Sequence, residues 1–111
     1  MDVIDWQALK ENCAGDDALV NEIVELFRKE GPVLLADVRK AVGSNEALAI
    51  KRTAHRLKGA LVSLAAQQAT SLARDLELAG AQNDLSKVTQ LETELEREMA
   101  KLLGVLQNRA S

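Results

Sequence analysis

Apolar residues recur at intervals of three and four along the C-terminal third of the chain. The spacing is carried by Leu85, Val88, Leu91, Leu95, Met99, Leu102 and Leu106. Residues three and four apart share one face of an α-helix, so this pattern predicts a long amphipathic helix. Such a helix must bury its apolar face against other elements. The remaining residues are therefore expected to supply the elements that cover it.

The apolar residues of the chain are almost all aliphatic. Hydrophobic residues make up 47% of the 111 residues, whereas aromatic residues make up 2%. Sheets favour β-branched and aromatic side chains, and Leu and Ala favour helices. No window of the sequence shows the strict apolar–polar alternation that is typical of a half-buried strand. The composition predicts an all-α fold, and the length suits one domain rather than two with separate cores.

Three glycines beside polar residues, Gly15, Gly43 and Gly80, predict turns that divide the chain into four stretches. Residues suited to cap the next helix follow each of them: Asp16 or Asp17, Ser44 or Asn45, and Asp84. We expect a short helix over residues 3–12 and a helical stretch that starts at Asp16 or Asp17. A third helix starts at Ser44 or Asn45 and runs to about residue 66, a further helix spans roughly residues 68–79, and the C-terminal helix follows. The prediction is an all-α, antiparallel up-and-down four-helix bundle with a short N-terminal helix, occupying residues 1–111 as one domain.

The second stretch is interrupted by Gly31-Pro32. Proline inside a helix removes a backbone donor and clashes with the preceding turn. The sequence is compatible with one long kinked helix and with two helices in near-continuation.

Charge and cysteine content exclude several classes of protein. The formal net charge is −3, which is not the basic surface of a general nucleic-acid binder. The single cysteine, Cys13, cannot form an internal disulfide, and this favours a reducing compartment such as the cytoplasm. No apolar run approaches the roughly 20 residues that span a bilayer. We therefore expect no nucleic-acid partner and no membrane segment.

The only histidine, His55, is predicted to point away from the core. A helical wheel over residues 46–66 places one apolar face toward the interior, and this face consists of Ile50, Ala54, Leu57, Leu61 and Leu64. His55 lies almost opposite. Its neighbours on the outward face are Leu48, Lys51, Gly59, Val62 and Ala66, with Lys58 one turn on. An outward face that is half apolar and half basic is typical of a contact surface rather than of a purely solvated one.

Gly59 lies one turn from His55 on the same side of the helix. Glycine in a helix interior costs roughly 1 kcal/mol relative to alanine. Two explanations are open at this point: the missing side chain leaves the imidazole accessible to a partner, or it lets a neighbouring helix pack closely.

Basic residues are concentrated around His55. Residues 31–60 are net positive, whereas both flanking segments are net negative, and Lys51, Arg52, Arg56 and Lys58 all lie within four positions of the imidazole. Positive charge here would stabilise an anionic group attached to the ring and attract an acidic partner. The alternative is an ordinary solvated helix face whose basic residues have no function.

The hexapeptide Ala54-His55-Arg56-Leu57-Lys58-Gly59 resembles the A-H-x-L-K-G signature of histidine-containing phosphotransfer (HPt) domains. Gly15-Asp16, the Phe27–Pro32–Leu35 pattern and Leu76-Glu77 are similar to the wider pattern of the family. Such domains are four-helix bundles whose exposed histidine carries a phosphoryl group between receiver-domain aspartates. The resemblance implies that His55 is the phosphoacceptor, that Lys58 assists the phosphoryl group and that Gly59 gives a receiver access. The chain departs from the family pattern at Ala60, where Ser is frequent, and at Ala65, where glycine is frequent.

Further site residues follow from the outward face and from the resemblance. Leu48, Lys51, Arg52, Val62 and Ala66 are expected to join Gly59 in receiver docking. In similar domains a polar residue of the following helix bonds the second ring nitrogen, and Glu77 occupies a suitable position. A solvated surface glutamate is the alternative for that residue.

The predicted function is a phosphocarrier in a multistep two-component phosphorelay, without kinase or phosphatase activity of its own. Its partners would be receiver domains of response regulators and of a hybrid sensor histidine kinase. Magnesium would come from the receiver, and the chain itself should hold no metal or cofactor. We expect a monomer, because the histidine face must stay free. The alternative is a helical adaptor that binds a receiver or kinase through the same face without phosphorylation.

Overall fold

The chain folds into five helices joined by short turns, and the computed structural model describes residues 3–110. The helices are α1 (Trp6–Asn12), α2 (Asp17–Ser44), α3 (Ala47–Ser63), α4 (Gln67–Ala81) and α5 (Val88–Ala110). Residues 3–110 include no strand. Helices α2 and α4 each pack against both α3 and α5, which places α3 and α5 on opposite corners of a four-helix bundle. Short turns between neighbouring long helices give the antiparallel arrangement that the sequence predicts.

The interior is built from the apolar faces that the periodicity predicts. The five residues assigned to the core face of α3 are all fully buried: Ile50, Ala54, Leu57, Leu61 and Leu64. Helix α5 buries Val88, Leu95, Met99, Leu102 and Leu106. Leu85 precedes α5 and is half-buried, as is Leu91. The buried residues of α3 form a continuous apolar stripe along the helix. Only one rotation of α3 about its axis buries this whole stripe in the core, and in that rotation His55 points outward.

Helix α1 closes one end of the bundle. It begins at Trp6 rather than residue 3, because Asp5 is the N-cap and its side chain accepts a hydrogen bond from the Ala8 amide. The Asp5 amide donates to the carbonyl of Ala65 at 2.9 Å, which ties the N-terminal segment to the α3–α4 turn. Trp6 packs against the core, and the Arg109 guanidinium lies 4.7 Å from the centre of its ring.

The predicted helix boundaries are partly wrong. Asp16 caps α2 as predicted, accepting from the amides of Ala18 and Leu19 after Gly15 at φ +76°. Ser44 and Asn45, however, end α2 instead of starting α3. Asn45 adopts the left-handed conformation at the C-cap of α2, and the N-cap of α3 is Glu46, without a side-chain capping bond. Asn is tolerated in both roles, and its side chain alone does not distinguish them.

Two further turn assignments are also corrected. Gly43 lies inside α2, and Gly80 is buried inside α4. Asp84 precedes α5 by four residues. Its carboxylate accepts bonds from the amide and hydroxyl of Ser86, so it caps the turn rather than the helix.

Helix α2 continues through Gly31-Pro32 as a single element. Pro32 faces solvent, while Gly31 is buried against the ring of Phe27. Buried residues on both sides of the proline, Phe27 and Leu35, anchor both halves of the helix in the core. Packing therefore outweighs the local preference of proline to end a helix.

A charged cluster joins α2 to α5 on the side of the bundle away from α3. Arg39 donates from Nε to Glu96 Oε1 at 2.6 Å and lies 4.0 Å from Glu92. Glu92 is nine-tenths buried, and its Oε1 accepts no hydrogen bond within the described part of the chain. Burial raises the pKa of Glu92, and the negative charge of Glu96 raises it further.

Glu92→Gln is expected to stabilise the fold at neutral pH. The pKa of Glu92 is higher in the folded state than in the unfolded state, so the folded carboxyl binds its proton more tightly and the ionised group destabilises the fold. The free energy of unfolding at pH 7 should rise by about 1 kcal/mol. The difference should fade as the pH falls toward the usual carboxyl range, where the native residue is protonated as well.

Urea unfolding followed by circular dichroism at several pH values tests this expectation. Glu94→Gln, on the same helix, is the matched control and should change stability little. A Glu92→Gln protein that is less stable than wild type at pH 7 would show that the ionised carboxylate is stabilising.

Candidate functional site

Close packing of α3 against α4 builds the site. Gly80 lies against the first turn of α3, where an added Cβ would come within 2.6 Å of the Ala47 carbonyl oxygen and 2.7 Å of the Lys51 nitrogen. Both are backbone atoms, so the two helices can approach this closely only because residue 80 has no side chain. Sequence reasoning missed this role. The signal for it was a glycine within a helical pattern, one turn after Glu77.

The close approach of the two helices brings Glu77 of α4 into contact with His55 and Lys58 of α3. Glu77 Oε2 lies 2.8 Å from Nδ1 of His55, and Glu77 Oε1 lies 2.6 Å from Nζ of Lys58. One carboxylate therefore bridges the two side chains of the signature. The structure places Glu77 in contact with the imidazole, its predicted role in orienting the ring remains a prediction, and its pairing with Lys58 was not predicted.

Burial differs among the three members of the bridge. The side chain of His55 is 65% exposed, whereas those of Lys58 and Glu77 are 24% and 19% exposed. The hydrogen bond from Lys58 is the main reason that the pKa of Glu77 lies below its usual value of 4.5, and the bond from His55 lowers it further. Partial burial acts in the opposite direction and is outweighed. Glu77 is thus an anion at neutral pH, with both oxygens engaged.

An ionised carboxylate accepts hydrogen bonds and cannot donate them. Nδ1 of His55 must therefore carry the proton that bonds Glu77, and in the neutral ring the lone pair resides on Nε2. The exposed imidazole presents this second nitrogen to solvent. The arrangement is a nucleophilic nitrogen of fixed tautomer on an outward helix face.

The residues predicted to surround His55 lie where the wheel places them, with one exception. Leu48 and Val62 are exposed, one heptad before and one after the histidine, and Lys51 and Arg52 are exposed one turn before it. Together with His55 and Gly59 these four residues form what we call the histidine face. Their predicted part in receiver docking remains a prediction.

Ala66 is the exception, because it is fully buried. Helix α3 ends at Ser63, and Ala65 adopts the left-handed conformation at φ 60°, which redirects the chain. Ala66 then becomes the N-cap of α4 instead of a position on α3. Glycine is the usual residue for such a turn, so Ala65 keeps the backbone geometry at the cost of some strain.

Gly59 is open to solvent. A Cβ built at this position meets no atom within 4 Å. Close packing of a neighbouring helix therefore does not explain this glycine, in contrast to Gly80. Of the two explanations that the sequence left open, the packing explanation is wrong, and access to the imidazole remains as a prediction.

An apolar groove between α2 and α3 was not predicted as part of the site. It has a volume of about 470 Å³ and begins beside Gly59. Helix α2 contributes Ile23, Leu26, Phe27, Glu30 and Leu34. Leu26 is 55% exposed, which is unusual for a large apolar side chain next to a core. Sequence periodicity marks these residues as apolar but does not distinguish a groove wall from a core face.

The described residues include no group of three or more His, Cys, Asp or Glu side chains arranged to hold a metal ion. None of the described helices combines the length and the hydropathy that crossing a membrane requires.

The site thus consists of a surface histidine on a helical bundle, in contact with a carboxylate and flanked by cations. The family model of the Hpt domain matches residues 22–104, and the chain belongs to this family. No match was found among curated protein sequences. Family membership places the protein among the histidine phosphotransfer domains of phosphorelays.

The crystal structure of histidine-containing phosphotransfer protein B from Pseudomonas aeruginosa PAO1 is similar to this fold. The TM-score is 0.87, and the match covers 96% of this chain and 93% of that chain at 20% sequence identity. The likeness supports the helical bundle independently of the signature.

Gly80→Ala is expected to damage both stability and site geometry. The added methyl group must displace the backbone of α3, which should lower the free energy of unfolding by about 2 kcal/mol. Glu77, one turn away, should move with α4 and loosen its bond to the imidazole. Thermal unfolding and the NMR signals of the His55 ring measure the two effects.

Gly104→Ala in α5 is the matched control, because a Cβ there meets nothing within 4 Å. It should stabilise the protein by roughly 0.5–1 kcal/mol through helix propensity alone. If Gly80→Ala behaved like this control, the α3–α4 contact would not depend on the glycine.

Proposed function

We propose that this protein accepts a phosphoryl group on Nε2 of His55 from the phosphoaspartate of a receiver domain and passes it to a second receiver domain. The observation that carries the proposal is the contact between Nδ1 and the Glu77 carboxylate, which in the neutral ring assigns the proton to Nδ1 and the lone pair to Nε2 of an exposed imidazole. In this proposal the protein is a carrier without kinase or phosphatase activity. It functions as a monomer in the cytoplasm, where Cys13 stays reduced.

The transfer step uses the lone pair of Nε2. As the nitrogen–phosphorus bond forms, the phosphorus–oxygen bond to the receiver aspartate breaks, and the carboxylate leaves with the electron pair. The ring becomes positively charged while Nδ1 keeps its proton. Glu77 stabilises this charge through the same hydrogen bond, so the bond should strengthen during the reaction. The reverse transfer, to the second receiver, follows the same path backwards.

Docking would use the histidine face and the adjoining groove. A receiver presents an acidic pocket that holds the magnesium ion needed for transfer, and cations of α3 would attract it. Leu48 and Val62 supply apolar contact on both sides of the imidazole, and the absence of a side chain at Gly59 keeps the approach open. Partners in the proposed relay are the receiver of a hybrid sensor histidine kinase and that of a response regulator.

His55→Gln should abolish phosphoryl transfer while leaving the fold intact, because the side chain is exposed and makes one hydrogen bond. Intact mass after mixing with a phosphorylated receiver and magnesium should show one added phosphoryl group on the wild type. Acid treatment should remove it, as expected for a phosphoramidate linkage. A folded wild-type protein that gains no mass from several receivers, yet binds them, would favour the non-catalytic adaptor.

Glu77→Ala should slow transfer from the receiver about tenfold or more, since a hydrogen bond to a charged group contributes about 1.5 kcal/mol. Glu77→Gln is the informative companion, because its amide oxygen can still accept from Nδ1 but carries no charge. We expect its rate to fall between those of Glu77→Ala and the wild type in single-turnover measurements.

Lys58→Ala should slow transfer without abolishing it, because Glu77 would keep its bond to the ring. Complete loss of transfer in Lys58→Ala would contradict this division of roles.

Gly59→Gln should leave the stability of the bundle nearly unchanged and slow transfer by blocking the imidazole. The open space around this position predicts the first result, and the need of a receiver for close approach predicts the second. Circular dichroism and transfer rates from a phosphorylated receiver measure the two. Gly43→Ala, also open but on α2, is the control and should not affect transfer. Unfolding of Gly59→Gln would show that the position serves packing.

A further inference from the structure

Four cations lie within eight residues of α3, and among residues 3–110 only one of them has an anionic partner. Lys58 is paired with Glu77 at 2.6 Å. Among residues 3–110, neither Lys51, Arg52 nor Arg56 forms an ion pair. Like charges four residues apart in a helix, such as Arg52 and Arg56, repel each other by a few tenths of a kcal/mol. The unphosphorylated protein thus holds uncompensated positive charge beside the imidazole.

Two of the three unpaired cations, Lys51 and Arg52, lie on the helical turn before His55. Side chains of an α-helix point back toward its N-terminus, so they cover the preceding turn. For His55 the preceding turn carries Lys51 and Arg52, at four and three positions before it. Lys58 lies on the following turn. Lys51 and Arg52 therefore lie within reach of a group attached to Nε2, and unlike Lys58 they are not engaged by Glu77.

The residues that line a surface hollow beside the ring distinguish Lys51 and Arg52 from Lys58. It has a volume of about 340 Å³ and is lined by Lys51, Arg52, His55, Arg56 and Glu77. Lys58 does not line it. Three cations and one carboxylate border a space that is large enough for a phosphoryl group, and the carboxylate is already engaged by Nδ1 and Lys58.

We propose that Lys51 and Arg52 form the phosphoryl seat, holding the oxygens of the group on Nε2, while Lys58 stays bound to Glu77. The proposal rests on the proposed function and refines it. Lys58 then acts on the phosphoryl group indirectly, as a positioning residue that fixes Glu77. Arg52 supplies a planar pair of donors suited to two phosphoryl oxygens, and Lys51 supplies a point charge.

The seat makes a direct prediction about the bound phosphoryl group. Two nearby cations favour its dianionic form, so they lower the second pKa of the group. Replacing both by Gln should raise that pKa by about one unit, as two unit charges at several ångströms from a surface group would require. Lys58→Gln should change it by much less, because Glu77 already neutralises Lys58.

In the experiment, potassium phosphoramidate phosphorylates His55 without a receiver. The bond from phosphorus to Nε2 forms, the bond from phosphorus to the nitrogen of the reagent breaks, and ammonia leaves. The chain has one histidine, so the phosphohistidine signal in ³¹P NMR is unambiguous. Its chemical shift is followed against pH in the wild type, Lys51→Gln/Arg52→Gln and Lys58→Gln. The control Lys40→Gln/Arg97→Gln removes the same net charge from exposed positions on α2 and α5.

The seat is supported if the phosphoryl pKa rises in Lys51→Gln/Arg52→Gln and stays near the wild-type value in the control. It is overturned if Lys51→Gln/Arg52→Gln titrates like the wild type, or if Lys58→Gln shifts the titration more. Loading by phosphoramidate involves no receiver. If the titration is as expected but the protein accepts nothing from phosphorylated receivers, the phosphoryl seat is supported and the proposed function is contradicted. If the protein accepts a phosphoryl group from receivers but Lys51→Gln/Arg52→Gln titrates like the wild type, the proposed function is supported and the seat is overturned.

Discussion

The Glu77 carboxylate is the interaction on which the rest of the site depends. It is held by Lys58 through one oxygen and binds Nδ1 of His55 through the other, so two residues of α3 and one of α4 form a single unit. The unit exists because α3 and α4 pack closely, and that packing requires a residue without a side chain at position 80. A backbone contact thus determines which nitrogen of an exposed imidazole is available for chemistry.

The two glycines near the site show opposite uses of a missing side chain. At Gly80 the space is filled by the backbone of the neighbouring helix, whereas at Gly59 the space is solvent. The sequence predicted a turn at Gly80 and a position inside a helix at Gly59, whereas both glycines lie inside helices. Their difference appears only when the helices are packed, because a contact between backbones leaves no trace in the periodicity of one helix.

The sequence predicted the rotation of α3 well and its ends poorly. Five apolar residues at helical spacing determine which face is buried, and this determined the outward direction of His55. The prediction that Ala66 is exposed was wrong, because the helical wheel was extended past Ser63, the last residue of α3. Beyond Ser63, Ala65 in the left-handed conformation redirects the chain. Asn45 was misassigned because the same side chain suits a helix start and a left-handed helix end.

Several charged side chains among the described residues lack a full set of partners. Within the described residues, Lys51, Arg52 and Arg56 beside His55 have no ion-pair partner, and the nine-tenths-buried Glu92 of α5 keeps an oxygen without a hydrogen bond. In the proposed function, the unpaired cations would meet a group that arrives as an anion and leaves again. The Lys58–Glu77 pair was hidden from sequence reasoning because its members lie on different helices, and no spacing rule connects them.

The most direct measurement of the central claim is the tautomer of His55 in the free protein. Long-range ¹H–¹⁵N NMR correlations of the single imidazole, recorded where the ring is neutral, distinguish a protonated nitrogen from a bare one. The account predicts a proton on Nδ1 and a bare Nε2, with this preference lost in Glu77→Ala. A ring that carries its proton mainly on Nε2 would contradict the account, because the nitrogen that faces solvent would then have no lone pair with which to accept a phosphoryl group.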